Sequence, residues 1–334
     1  MICPQRLFYE NQSGHIEVNA KGCISCGHCT AICAPNAIHH SAIPQARIHA
    51  FNRSDLPTPF QIELLIKTRR SNRAFTSNPI PKDWLQKIIT AAHFAPTASN
   101  IQEIRIIAIT NPQVLQNISA TTINNFVKAT RILNYPLIRL FSKRLIPQKY
   151  KYVKVFERIE NEYKNGYDHI LRNAQALILF YTEKRNDFAC HDANLAYQNA
   201  SLMAEALGVA HFYTGFICRA AELDKKQKIQ KMLNINGFIY AGMALGMPRF
   251  KFNRYIEKKR LQLYFHRLSK NERPNKNHRT KNSRSNPHGL ERLYCFISIR
   301  KFKCIGVLGI IYRLFLTDSI YNPYFAFSTI ALNA

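Results

Sequence analysis

The stretch Lys82-Asp83-Trp84-Leu85-Gln86-Lys87-Ile88-Ile89-Thr90-Ala91-Ala92-His93-Phe94-Ala95-Pro96-Thr97-Ala98-Ser99-Asn100-Ile101-Gln102-Glu103-Ile104-Arg105-Ile106-Ile107-Ala108-Ile109 changes its hydrophobic period twice. Trp84, Leu85, Ile88, Ile89 and Ala92 recur at helical spacing and predict a helix from about Lys82 to His93 with one apolar face. Ala95 to Gln102 is polar and contains Pro96, so it reads as a loop. Ile104 to Ile109 is nearly all β-branched and reads as a strand. A helix, a polar loop and a strand in that order make the loop a natural place for a ligand.

Working outward, the same alternation continues. Thr58-Pro59-Phe60-Gln61 combines an N-cap Thr, Pro at the first helical position and Gln three residues after the cap, the signature of a capping-box start. Ile62, Leu65 and Ile66 then form an apolar stripe. Towards the C-terminus we expect a charged helix from about Tyr150 to Tyr167 and a buried strand from Ala176 to Tyr181. A helix over Asp192–Leu207 follows, with Ala196, Ala200, Met203 and Ala204 on one face. A short strand over Val209–Tyr213, a helix over Glu222–Leu233 and a last strand over Phe238–Leu245 complete the pattern. Strands separated by helices without strict β-α-β alternation predict an α+β fold, a sheet flanked by helices on both faces.

Ahead of this lies Cys23-Ile24-Ser25-Cys26-Gly27-His28-Cys29-Thr30-Ala31-Ile32-Cys33, four thiols at C-x2-C-x2-C-x3-C spacing. That spacing is the bacterial ferredoxin run, in which three sulfurs converge on one cluster and the last can serve another. A zinc knuckle and a disulfide set are the competing readings; zinc sites more often use two separated C-x2-C pairs. Cys190, Cys218, Cys295 and Cys304 have no partner at ligand spacing and read as buried or incidental thiols. His191 and His211 read as core histidines.

The chain has 334 residues, 46% of them hydrophobic, enough for a real core, and a formal charge of +27. From Arg249 to the end there are 18 Lys and Arg against four acidic residues, so much of the excess belongs to the tail. A milder basic stretch from Lys128 to Lys154 reads as a solvated face. The tail has no groove-reading motif, and contact with nucleic acid or a membrane surface is not expected. No run reaches the roughly 18 apolar residues of a membrane span, and the N-terminus lacks an apolar signal segment, which makes the cytoplasm the expected compartment. Arg267 to His288 is almost without apolar residues and reads as disordered.

Arg69-Arg70-Ser71-Asn72-Arg73 after Thr68, Ala95-Pro96-Thr97-Ala98-Ser99-Asn100-Ile101-Gln102, Tyr213-Thr214-Gly215-Phe216 after Leu207-Gly208-Val209, and Gly246-Met247-Pro248 leading to Arg254 occur in that order. Over roughly residues 58–262 the chain resembles the FMN-dependent nitroreductase family, and with the Cys run in front it resembles the ferredoxin-fused branch. The resemblance implies a nitroreductase-like α+β sheet with a small ferredoxin-like iron–sulfur module. Residues 1–55 would form that module, 56–262 the FMN-binding domain, and 263–334 a basic tail, disordered or irregular.

The resemblance also implies the site. Arg69, Arg70, Ser71 and Arg73 would bind the phosphate and polar edge of FMN, with Arg254 and Lys258 on the C-terminal arm. Asn100 and Gln102 would meet the pyrimidine edge. Thr214 and Gly215 would lie at the ring, with the Gly215 N–H at flavin N5 as the catalytic contact. A homodimer is implied, each site built from both chains. The expected partners are a small organic acceptor such as a nitroaromatic or quinone, and a donor such as reduced ferredoxin, flavodoxin or nicotinamide. Substrate choice would fall to the segment between about Ala120 and Asn165.

For the metal, Cys3 is followed by Pro4 as the last cysteine of such runs usually is. By the resemblance and the ligation rule, Cys3, Cys23, Cys26 and Cys29 would hold one 4Fe–4S cluster and Cys33 would be left without its own. The first half of the module would then be missing. A catalytically impaired truncated homologue, and a binding protein acting through its basic tail, are the alternative expectations.

Overall fold

In the computed structural model, which describes residues 2–136, 139 and 147–263, the stretch read first folds as helix, loop and strand. Its helix spans Lys82–His93 and its strand Arg105–Ile109. In chain order the elements are β1 (Phe8–Glu10), β2 (Ile16–Val18), α1 (His28–Ile32), α2 (Pro59–Thr68), α3 (Lys82–His93), β3 (Arg105–Ile109), α4 (Pro112–Asn134) and α5 (Pro147–Lys164). Then come β4 (Ala176–Thr182), α6 (Ala189–Ala206), β5 (Ala210–Tyr213), α7 (Gly215–Leu223), α8 (Lys228–Met232) and β6 (Phe238–Gly246).

The main sheet has the order β3-β4-β6-β5, and every pairing is antiparallel. Successive side chains of a strand point to opposite faces, so a strand buried on both sides reads as an unbroken apolar run. β4 shows this directly. Leu177 and Leu179 join the core made with α4, α5, α7 and α8, which includes Ile118, Phe126, Phe156, Ile217 and Ile229. Ala176, Ile178 and Phe180 join the other core, made with Ile88 and Ala92 of α3 and Ala193, Ala196, Ala200 and Ala204 of α6. The small residues of α6 bring that helix close to the sheet. The expected α+β sheet covered on both faces is present.

Several expectations change in detail. The helix expected over Glu222–Leu233 is two helices, α7 and α8. The Asp224 carboxylate accepts hydrogen bonds from the Lys226 and Lys228 N–H groups at 3.0 and 3.1 Å, and Gln227 takes a φ of 50°, which breaks the helical path. The N-terminal residues, read only as a cysteine module, also carry the β1–β2 hairpin, with Phe8 opposite Val18. Asn11 shapes its turn by accepting from the N–H groups of Ser13 and His15 at 3.0 and 2.9 Å.

The capping box of α2 forms as read: Gln61 N–H donates to Thr58 Oγ1 at 3.3 Å and Thr58 N–H to Gln61 Oε1 at 2.8 Å. Its apolar stripe does not reach the core. α2 has no buried residue, and Phe60 is 71% and Ile66 55% exposed. No helix among the described residues is long and apolar enough to cross a membrane. The residues up to Glu257 form one compact unit and Lys258 opens a second. Most of the expected basic tail, from 264 on, lies outside the described residues, as do Cys295, Cys304 and part of the 120–165 segment.

Candidate functional site

The arginine run begins where α2 ends. Arg69 is the C-cap of that helix, its N–H donating to Leu65 O at 3.2 Å. The chain then leaves the helix and is laced to the segment after β6. Thr76 N–H donates to Met247 O and Arg249 N–H to Ala74 O, both at 2.9 Å, and Phe75 bridges to Pro248. Asn72, which the sequence did not single out, is the buried tie: its Nδ2 donates to Phe250 O at 3.0 Å and its Oδ1 accepts from Ala74 N–H at 3.1 Å. Its place inside Arg70-Ser71-Asn72-Arg73 was the only signal.

This lacing sets cations over aromatic faces. The Lys67 ammonium lies 5.5 Å from the Tyr255 ring centre, the Arg70 guanidinium 5.2 Å from Phe252 and the Arg73 guanidinium 5.3 Å from Phe212. Among the described residues, none of Arg69, Arg70 and Arg73 forms an ion pair. Partial burial, then the charge of Arg172, push the Arg73 guanidinium below its usual range. Lys67 is paired with Glu63, but guanidiniums that form no ion pair, such as Arg69, Arg70 and Arg73, are a fit for an anion.

Helix α6 backs this run. Tyr197 is driven up by burial, while the charges of Arg69 and Arg73 pull the other way. Glu205 is also raised by burial, against the Arg70 N–H, the Arg69 charge and the Thr68 hydroxyl. Between them His211, fully buried, donates from Nδ1 to Val209 O at 3.1 Å and accepts at Nε2 from the Ser201 hydroxyl at 2.8 Å. Since a carbonyl only accepts, this fixes the neutral tautomer, and burial lowers its pKa to about 4. His211 is thus the core histidine expected. His191 is not: it is exposed at the start of α6, its ring 6.3 Å from that of Phe188.

The loop after α3 is held at the other end of α6. Both carboxylate oxygens of the buried Asp192 accept from Ala98 N–H, at 3.1 and 3.3 Å. Ser99, Asn100 and Gln102 all have positive φ, near 50–55°, uncommon for residues other than glycine. Asn100 Nδ2 donates to Ile24 O at 3.0 Å and Ser25 O at 2.9 Å, and Gln102 Nε2 donates to Asn100 Oδ1 at 3.0 Å. The Gln102 side chain is exposed. Asp192 and Glu205 stand thirteen residues apart on α6, about 20 Å along the helix axis. Within one chain, the Ala98 loop is therefore held near the start of α6 and Arg70 near its end, with Arg73 between them beside Tyr197.

Gly215, the expected catalytic contact, is the first residue of α7, with Thr214 as N-cap. Its N–H belongs to the first turn and has no partner inside the helix. The Thr214 side chain is buried beside the Cys218 thiol. Arg254 is exposed on the arm, and Lys258 belongs to the second unit.

The cysteines are not brought together. Among the described residues no three Cys, His, Asp or Glu side chains are grouped to hold a metal ion. Cys23 Sγ lies 3.5 Å from His40 Nε2, and Cys33 Sγ accepts from Ala37 N–H at 3.2 Å at the end of α1. Cys3, Cys23, Cys26, Cys29 and Cys33 are all free thiols. The expected cluster set of Cys3, Cys23, Cys26 and Cys29 does not fit an iron–sulfur centre as these side chains stand.

Among curated proteins, the NADPH-dependent oxidoreductase of Staphylococcus aureus strain USA300 is 22% identical over 186 residues, 55% of this chain and 63% of that protein. The chain thus spans less than two thirds of that relative's length. Among solved structures, the FMN-bound nitroreductase of Desulfitobacterium hafniense DCB-2 aligns over 61% of this chain and 97% of its own, at 19% identity and a TM-score of 0.47. That of Bacteroides fragilis NCTC 9343 aligns over 63% and 98%, at 19% identity and a TM-score of 0.45. The sequence pattern of the nitroreductase family matches residues 66–247, from the end of α2 through β6. That match takes in more than half of the chain and every strand of the main sheet, and the chain belongs to the nitroreductase family.

Proposed function

We propose that this chain is an FMN-dependent oxidoreductase. The observation that carries this reading is the run Arg69, Arg70 and Arg73, three guanidiniums that form no ion pair among the described residues, two of them over the aromatic faces of Phe252 and Phe212. A phosphate dianion is the partner such a run lacks, with the Ser71 hydroxyl as a further donor. Arg254 would add charge from the C-terminal arm. Bound there, FMN would accept a hydride equivalent from a donor and pass two electrons to an acceptor.

The remaining residues bind and orient. The Gly215 N–H, free of any helical partner, would donate to the ring near N5, with Thr214 as the N-cap beside it. The loop that carries Asn100 and Gln102 is fastened at Asp192, while Arg70 meets Glu205 thirteen residues further along α6, so the loop and the start of the arginine run would serve different parts of a ligand. That separation, together with the exposed apolar residues Phe60, Ile62, Leu64 and Ile66 on α2, supports a homodimer in which each site draws on both chains. Residues 56–262 would then be the flavin domain, 1–55 an appended module and 263–334 a basic tail. The acceptor class is a nitroaromatic or quinone, and the donor nicotinamide, as the name of the curated relative suggests, or a reduced ferredoxin or flavodoxin.

Placement in the ferredoxin-fused branch rests on the cysteine spacing alone. Among the described residues the thiols are not grouped to hold a metal, so they do not fit a cluster as they stand. The test is direct: titrate the purified chain with FMN, follow quenching of flavin fluorescence, then assay NADPH oxidation with a quinone. Failure to bind FMN stoichiometrically would refute the reading.

A further inference from the structure

We propose that Asn100 is a positioning residue that fastens the Cys23–Cys26 loop against the Thr97–Gln102 loop, leaving Gln102 as the amide of that loop available to the flavin. A carboxamide has two N–H donors and one oxygen. Asn100 spends both donors on successive carbonyls, Ile24 O at 3.0 Å and Ser25 O at 2.9 Å, and its oxygen accepts from Gln102 Nε2 at 3.0 Å. Turning the amide over would set its oxygen against two carbonyl oxygens, so the network fixes the orientation. No N–H of Asn100 is left for a ligand. Gln102 keeps its second N–H and is exposed.

The backbone on both sides is shaped for this contact. Ile24 and Ser25 are the two spacer residues of the first C-x2-C, and Ser25 sits at a φ of 50°. On the other side Ser99, Asn100 and Gln102 share that left-handed region. Such conformations persist only where surrounding contacts hold them. Here the holding contacts are Ala98 N–H to the buried Asp192 carboxylate, Gln102 N–H to Thr97 Oγ1 at 3.0 Å, and the Asn100 amide itself. The cysteine loop is therefore a wall of the loop that the flavin reading places at the ring, and the state of one loop biases the other. By linkage, ligand on the flavin loop should slow reaction of the cysteine loop, and the reverse. The role of Gln102 rests on the flavin reading; the fastening does not.

The experiment is alkylation of the full chain with iodoacetamide, with the rate at each cysteine followed by mass spectrometry. Asn100→Asp keeps a residue tolerant of left-handed backbone but faces two carbonyls with a carboxylate. It should speed alkylation of the half-buried Cys26 by about tenfold, the factor corresponding to loss of one net hydrogen bond, and leave the exposed Cys23 little changed. The buried Cys218 is the gauge of folding and should stay unreactive. Should Cys218 react in that variant, Ser25→Pro decides, because proline cannot take a positive φ and the change acts from the other side of the contact. Gln102→Ala should weaken FMN binding and leave the Cys26 rate unchanged. An unaltered Cys26 rate in Asn100→Asp with Cys218 protected would overturn the fastening. If the fastening holds but wild-type protein binds no FMN, only the flavin reading fails.

Discussion

A Cβ on Gly246 would lie 2.6 Å from the ring of Phe75, so the last residue of β6 has no side chain because the phenylalanine of the arginine run occupies that space. Phe75 is itself buried and stacks with Phe212 at 6.0 Å between ring centres, under the face that carries Arg73. The contact fixes where the arginine run leaves the sheet. Gly246→Ala is expected to destabilise the fold by about 1–3 kcal/mol, the usual cost of overpacking a core. A lower urea midpoint with unchanged slope checks it; an unchanged midpoint would show that Phe75 moves aside freely.

Arg73→Gln removes a guanidinium that has no carboxylate to leave unpaired, so the fold should tolerate it. FMN affinity should fall by roughly 10–100-fold, the range for a hydrogen bond to a charged group of about 1.5–3 kcal/mol. The same loss is expected for Arg70→Gln. Fluorescence titration at two salt concentrations checks both variants, and the wild type should show the steeper salt dependence.

Gly215→Pro separates the backbone N–H from the helix. Proline is favoured at the first position of a helix, so α7 should survive, while the N–H disappears. The expected result is near-normal FMN binding and melting temperature with turnover reduced by roughly tenfold or more, as when a single transition-state donor is lost. Gly215→Ala, which keeps the N–H, is the control. Equal activity in the two variants would remove Gly215 from the chemistry.

His211 sets an acid limit on stability. Its pKa is near 4 in the folded chain and 6.5 when free of the fold, so between these values the unfolded chain binds a proton that the native chain does not. Stability should be unaffected by this group above pH 6.5 and fall progressively as pH drops towards 4, by roughly 3 kcal/mol in all. His211→Gln should be less stable at neutral pH but show a shallower decline over that window. Urea midpoints at a series of pH values measure the difference.

The strands and helices of the main fold were legible because each carries its own period: Ile104 to Ile109 is four isoleucines broken by Arg105 and Ala108, Ala176 to Tyr181 is an unbroken apolar run, Lys82 to His93 an amphipathic helix, and Thr58 to Gln61 a cap that closes on itself. These are local features, settled by neighbours within a few residues. The Asp224 break was not legible, because it depends on a side chain competing for backbone N–H groups rather than on period. The outward stripe of α2 was not either, since periodicity shows that a face is apolar and not what covers it.

For the site, the sequence by itself determined the cast: the arginine run, the Pro96–Gln102 loop, Thr214-Gly215 and the cysteine spacing. Only the tertiary structure decided the roles. Asn72 became a tie because Phe250, distant in sequence, returns beside it. Asn100 was turned from a free amide into a fastener because the cysteine loop lies within 3 Å of it. The four thiols, regular in spacing, are not gathered into a metal-holding group among the described residues, where Cys23 meets His40 and Cys33 the Ala37 N–H instead. A residue's chemistry is written in its side chain, but which of its donors remain free depends on long-range contacts that no local period encodes.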